Sequence, residues 1–229
     1  MVNPVTQTLT SEQSGSLEKI TSRPGPFLLF GSTGSGKTEV YLHAVRALLA
    51  AGRQVLMLIP EIGLSEQLVE RFRLRFGDAV AVLHSELTER ERALVWERAR
   101  RGAVGVVLGT RSAVWVPLPT LGLIVVDEEH DPSFKQQEGF RYSARDVAVM
   151  RARNAQVPVV LGSATPSLES ELNVLRGRYE RLLLPSRAGG AAPPVLHGVD
   201  VRGLKLHGGL SDTLCAAIDD RLGRGAHDD

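Results

Sequence analysis

The stretch Gly31-Ser32-Thr33-Gly34-Ser35-Gly36-Lys37-Thr38 follows a short apolar run at 27–30 and precedes an amphipathic segment. It fits the pattern G-x-x-x-x-G-K-[ST] in the strand-to-helix setting that gives the pattern meaning. Glycines let the backbone curl so that successive N–H groups point at one anion, and the positive end of the next helix faces the same place. This arrangement suits the phosphates of a nucleotide, with Lys37 reaching the outer phosphates and the Thr38 hydroxyl holding Mg²⁺. The alternative is a glycine turn that matches by chance, and the flanking elements argue against it.

Working outward, further apolar runs occur at 55–59, 79–83, 104–108, 123–126 and 157–161. Each has strand length, and most lack polar alternation, as in strands covered on both faces. Helical patterns lie between them. Val40, Ala44, Val45, Leu48 and Leu49 share one face before Gly52, and Leu64, Leu68, Phe72 and Phe76 recur every four residues up to Gly77. Strand–helix alternation of this kind predicts an α/β fold, a mostly parallel sheet with helices on both faces. The main lobe is expected over 1–187. The glycine- and proline-rich run 188–194 reads as a linker. Residues 188–229 then form that linker and the truncated start of a second lobe. They hold one helical pattern, Leu210, Leu214, Ile218 and Leu222, with Ser211 as N-cap and Gly223 as stop.

The run Leu123-Ile124-Val125-Val126-Asp127-Glu128-Glu129-His130 is a buried strand ending in carboxylates. Ligands gather at the C-terminal ends of parallel strands, so Asp127 is expected beside the phosphate loop as an outer-shell Mg²⁺ partner. Glu128 is placed to polarise an attacking water. By itself the acidic run could be a solvated turn. Its distance from the loop, about ninety residues with strands between, and the adjacent glutamate favour a RecA-like P-loop NTPase lobe.

Composition narrows the alternatives. Hydrophobic residues make up 43% and charged residues 23%, as in an ordinary globular domain, and the net charge of +1 gives no argument for nucleic acid. One cysteine, Cys215, and six scattered histidines (43, 84, 130, 197, 207, 227) provide no zinc-ligand spacing. No apolar run reaches the roughly 18 residues that a membrane span needs, and residues 1–10 are too polar for a signal peptide, so the reading is cytoplasmic.

Asp127-Glu128-Glu129-His130 resembles the DExH box of superfamily 2 helicases, and Gly162-Ser163-Ala164-Thr165 resembles their motif III. Pro60-Glu61-Ile62-Gly63-Leu64 and Gly109-Thr110-Arg111-Ser112-Ala113 stand where motifs Ia and Ib belong. The loop with its continuation to Leu42, the string Val82-Leu83-His84-Ser85, and Phe134-Lys135-Gln136-Gln137-Glu138-Gly139 are more specific. They resemble the PriA-type family of primosomal replication-restart helicases over about residues 9–187.

That resemblance implies the first motor lobe of an ATP-dependent 3′-to-5′ DNA helicase. Its cofactors are ATP and Mg²⁺, and its partners are forked or single-stranded DNA, replication-restart proteins and single-strand-binding protein, with no membrane. It implies that Gln13 reads adenine, although a lone glutamine near a terminus is otherwise a surface residue. It implies that Phe134, Phe140, Arg141 and Tyr142 form an aromatic-rich loop that senses single strands. Ring faces and guanidinium planes suit such stacking, although Tyr142 could equally anchor the loop. His130 is expected to relay to Ser163 or Thr165 rather than bind metal, and Arg111 to contact a DNA phosphate. The family also carries DNA-binding domains before this lobe. After it comes a second lobe with zinc-binding cysteines and an arginine finger, so zinc is expected only there.

The alternatives are a nucleotide-dependent DNA- or partner-binding module without motor action, or another superfamily 2 translocase. Arg71, Arg73 and Arg75 are read as a solvated face rather than a DNA track. The arginines at 90–101, interleaved with glutamates, are read as surface pairs. Trp96 and Trp115 are read as core or rim packing.

Overall fold

The computed structural model describes residues 8–185 and 198–225. They fall in two compact units, Met1–Ala191 and Ala192–Asp229. The expected linker at 188–194 lies outside the described residues.

The first unit runs α1 (Ser11–Ser22), β1 (Gly25–Gly31), α2 (Lys37–Ala50), β2 (Gln54–Leu58), α3 (Glu66–Phe76), β3 (Val80–Leu83), α4 (Glu89–Arg100), β4 (Val106–Gly109) and β5 (Leu121–Asp127). A two-residue hairpin pair follows, β6 (Lys135–Gln136) and β7 (Tyr142–Ser143), then α5 (Ala144–Ala155), β8 (Pro158–Ser163), α6 (Leu168–Leu175) and β9 (Glu180–Leu184). Seven strands form one sheet in the order β3-β4-β2-β5-β8-β1-β9, with every pairing parallel. All six apolar runs read as strands are strands of this sheet.

The runs show no polar alternation because both sheet faces are covered. Phe27, Leu29, Val55, Met57, Leu123 and Val125 pack with Ile20 of α1, Val40, Ala44 and Val45 of α2, and Phe72 of α3. The intervening residues Leu28, Leu56, Leu58, Ile124 and Val126 pack on the other face with Ala99 of α4 and Ala144, Ala148 and Ala152 of α5. Alanine at every fourth position lets α5 lie close to the sheet.

Helix starts follow local chemistry. Thr10 and Gln13 form a capping box on α1, Thr88 and Glu91 one on α4, and Ser65, Ser143 and Ser167 cap α3, α5 and α6. Among the described α-helices of this unit, α2 alone begins without a side-chain cap, at Gly36. Its first N–H groups therefore face the loop that precedes it. On α4 the expected surface pairing is present, with Arg100 2.8 Å from Glu97 and Arg101 bonded to the same carboxylate.

In the second unit, His207 and Leu210 bridge across a turn at Gly208 and Gly209, both with positive φ. Helix α7 (Asp212–Gly225) follows, and the Ser211 hydroxyl accepts from Leu214 N at 3.3 Å, as an N-cap does. Gly223 is not the stop expected of it, because the helix continues to Gly225. A single glycine near a helix end weakens the helix by roughly 1 kcal/mol and need not terminate it.

Candidate nucleotide site and adjoining loop

Register sets the site. Phe30 lies opposite Ser163 and Asp127 opposite Gly162, so the C-terminal ends of the neighbouring strands β1, β8 and β5 emerge side by side. The loop after β1 curls through Gly34 (φ +82°) and Gly36 (φ +83°), a conformation that side chains disfavour. Gly31 is held to glycine differently, since a Cβ there would lie 2.4 Å from Ser35 Oγ. Ser32, Thr33, Gly34, Ser35, Gly36, Lys37, Thr38, Asp127 and Glu128 line one pocket of about 310 Å³.

Within it, buried Lys37 donates to the Gly31 carbonyl at 2.9 Å and stands 3.8 Å from Glu128 Oε1. Glu128 has φ +47°, a backbone conformation rare for a side-chain-bearing residue. Its other oxygen is 3.7 Å from His130 Nδ1. His130 Nδ1 lies 2.8 Å from Ser163 Oγ and its Nε2 lies 3.4 Å from Thr165 Oγ1, while Ser163 Oγ accepts from Thr165 N at 2.9 Å. An unbroken polar line thus runs from Lys37 through Glu128 and His130 to Ser163 and Thr165.

The carboxyl of Asp127 accepts from Tyr41 Oη at 3.0 Å. Burial, assisted by the charge of Glu128, pushes its pKa up to about 6, against the opposing effects of the Tyr41 bond and of Lys37. Burial and the charge of Asp127 likewise raise Tyr41 far above the usual phenol range. The neighbouring carboxylates of Asp127 and Glu128 suit a divalent cation. Donors in the same pocket, Lys37 and the uncapped start of α2, suit phosphate oxygens. The buried Ser35 Oγ has no protein partner.

Tyr41 also explains the glycine of Gly162-Ser163-Ala164-Thr165. A Cβ at 162 would sit 1.7 Å from Tyr41 Oη. Gly162→Ala is therefore expected to lower stability by about 1–3 kcal/mol through overpacking. Chemical denaturation would measure it, and adding Tyr41→Phe should recover part of the loss. An unchanged midpoint for the single variant would mean the contact relaxes without cost.

Gln13 approaches the loop from behind. Its Nε2 donates to the Ser35 carbonyl at 3.0 Å and its Oε1 accepts from Thr10 N at 2.9 Å. Each bond uses one of the amide's two N–H donors or one of its oxygen's two lone pairs, and the side chain is buried.

Glu129, the third carboxylate, points away from the pocket and is 2% exposed. It accepts from Ser167 N at 2.7 Å, Ser167 Oγ at 3.0 Å, Ser170 Oγ at 2.8 Å and Arg145 Nη1 at 3.1 Å. These four bonds join the end of β5 to α5 and to the start of α6. Glu39 is the other carboxylate that motif matching passed over. Burial pushes its pKa up, but Arg75 and Arg71 outweigh that and hold it below the usual carboxylate range. Arg71 and Arg75 are therefore not simply a solvated face, since both pair with a buried carboxylate.

The loop after β5 is braced by Arg111, whose Nη1 donates to the carbonyls of Ser133 at 3.0 Å and Lys135 at 3.4 Å. Phe134 is buried in the core at 2% exposure and offers no ring face, so a stacking role for it is withdrawn. Phe140 is 76% exposed, and Arg141 is exposed beside it. Phe140, half-buried Tyr142 and Trp115 form a three-ring cluster with centroids 5.3–6.3 Å apart. Trp115 is 43% exposed, and Trp96 40%, so neither is core. Tyr142 anchors the loop against Trp115 and keeps part of its ring in solvent.

A family model described as DEAD/DEAH box helicase matches residues 10–174. The chain belongs to that family. This helicase lobe is 44% identical to the replication restart protein PriA of Haemophilus influenzae over 220 residues, 95% of this chain and 30% of the relative. Against PriA of Bacillus subtilis identity is 45% over 199 residues, 85% of this chain and 25% of the relative. The similarity is to the PriA helicase lobe, and the chain spans about a quarter to a third of these relatives' length. Among solved structures it is similar to RecG bound to a three-way DNA junction, with TM-score 0.58 and 25% identity, over 87% of this chain and 25% of that one. It is also similar to the Pyrococcus furiosus Hef helicase domain, with TM-score 0.52 and 25% identity, over 75% of this chain and 37% of that one. The parallel sheet with helices on both faces is that of an α/β RecA-like lobe.

Proposed function

We propose that this chain is the ATP-binding first motor lobe of an ATP-dependent 3′-to-5′ DNA helicase that restarts stalled replication forks through primosome assembly. The observation that carries the proposal is the approach of Lys37 to Glu128, 3.8 Å apart, in a pocket that also holds Asp127 and residues 32–38 of the glycine loop. Residues 31–38 would hold the phosphates, with Thr38 and Asp127 holding Mg²⁺, Asp127 through water. The cation supplies charge neutralisation at the terminal phosphates. Glu128 is the base that orients water, and Tyr41 fixes the Asp127 carboxyl. His130 carries the state of the pocket to Ser163 and Thr165. Gln13 reads adenine through the donor and acceptor capacity that its bonds to Ser35 and Thr10 leave over.

The same reading makes forked or single-stranded DNA the nucleic-acid partner. The RecG structure, on a three-way junction, supports it. Exposed Phe140, Arg141 and the rim of Tyr142 would meet the strand, and Arg111 would act through the loop it braces as well as on phosphate. Replication-restart proteins and single-strand-binding protein are the protein partners by family. Residues 188–229 are read as a linker and the start of a second lobe, where zinc and an arginine finger belong. No described helix is long and apolar enough to cross a membrane, and the proposed setting is the cytoplasm.

Hydrolysis in this class needs arginine from the second lobe, worth roughly 10³- to 10⁵-fold in related phosphoryl transfers. The 229-residue chain is therefore expected to bind MgATP, to hydrolyse it barely and not to unwind duplexes. Lys37→Ala should weaken binding roughly 10- to 150-fold, the loss of one charge-assisted contact. Calorimetric titration and a DNA-stimulated phosphate-release assay test this. Robust turnover by the isolated chain, or unimpaired binding by Lys37→Ala, would count against it.

A further inference from the structure

Helix α3 presents two arginines to one carboxylate. Glu39, two residues past Lys37, is 4% exposed. Arg75 takes both of its oxygens, with Nη1–Oε2 at 2.9 Å and Nη2–Oε1 at 3.2 Å. Arg71 bonds to Oε1 as well. The two guanidiniums differ in setting, since the Arg75 side chain is 12% exposed and that of Arg71 43%. Arg71 also forms part of the wall of the nucleotide pocket, beside residues 32–38, Asp127 and Glu128.

Two cations on one anion leave one positive charge over. Because Arg75 alone satisfies both Glu39 oxygens, Arg71 can turn to a second anion without stranding a buried carboxylate. Stranding one is what normally makes breaking such a pair costly. A guanidinium is a planar, permanently charged fork that matches a pair of phosphate oxygens. We propose that Arg71 is a phosphate-binding residue of this pocket, held ready by Glu39 and directed at the outer phosphates of a nucleoside triphosphate. This rests on the nucleotide reading above and adds a cation supplied by this lobe itself. It also gives α3, which follows the segment 60–64, a direct report of whether a triphosphate is bound.

The test is calorimetric titration of the full 229-residue chain with MgATP and MgADP, with melting of the ligand-free protein recorded alongside. Arg71→Gln is expected to weaken MgATP binding roughly 10-fold, with a smaller loss for MgADP. Ligand-free melting should stay within a few degrees of the parent, because Arg75 retains Glu39. Arg73→Gln, on the same helix but outside this pocket, should bind like the parent, and Arg71→Lys should fall between parent and Arg71→Gln. Parental affinity for Arg71→Gln overturns the proposal. So does an equal loss for both nucleotides with a lowered melting temperature, which makes Arg71 a structural partner of Glu39. Should Arg71→Gln not fold, an Arg71→Lys variant indistinguishable from the parent overturns it. If the parent binds neither nucleotide, or Lys37→Ala binds as the parent does, the nucleotide reading itself fails. If Lys37→Ala loses binding and only Arg71→Gln is silent, that reading stands and the role of Arg71 does not.

Discussion

In a full-length protein carrying this lobe, Glu128→Gln is expected to lower ATP turnover about 10²- to 10⁴-fold while leaving MgATP affinity within a few-fold of the parent. The substitution keeps the shape of the side chain and its reach toward Lys37 and His130. It removes the one property a base requires, a lone pair on a charged oxygen. Affinity should hold or tighten slightly, because a negative charge beside the phosphates is lost while Lys37 and the loop remain. Steady-state turnover measured with equilibrium binding separates the possibilities. Unchanged turnover removes Glu128 as the base. A binding loss as large as the turnover loss would make it a positioning group for the ligand.

The second large effect concerns stability. Glu129→Ala should cost about 3–5 kcal/mol, because it leaves Arg145 with only exposed carboxylates, Asp146 the nearest, and strands the hydroxyl of Ser170 and the N–H of Ser167. For a chain of this size, a melting temperature moves by roughly 2–4 °C per kcal/mol. A fall on the order of 6–20 °C is therefore expected. Glu129→Gln should fall less, since an amide oxygen can still accept from Ser167 N. Calorimetric melting of the two variants decides the matter. If Glu129→Ala melts within about 2 °C of the parent, the network is not what fixes α6 to the end of β5.

Glu128 and Glu129 illustrate what could be read in advance. Both were visible as carboxylates after an apolar strand, and the parallel order placed the first beside the phosphate loop. That the second turns inward depends on Arg145, Ser167 and Ser170. These residues are remote in sequence and meet it only when α5 and α6 pack. Tyr41 escaped notice for the same reason. It lies on the apolar face of α2, and its contact with Asp127 exists only across β8. The buried strands were legible because each is continuously apolar. Edge strand β9 was not, since it opens with the charged pair Glu180 and Arg181 and exposes Leu183 between buried Leu182 and Leu184. Arg71, Arg73 and Arg75 looked like one solvated patch because charge spacing says nothing about a buried partner on another helix.

The left-handed backbone at Glu128 has a bearing on how such a lobe tolerates change. Holding a long side chain in that conformation costs on the order of 1–3 kcal/mol, and asparagine or glycine would sit there with less strain. A sequence optimised for folding alone would drift toward those residues. The glutamate is therefore a place where durability and turnover pull in opposite directions.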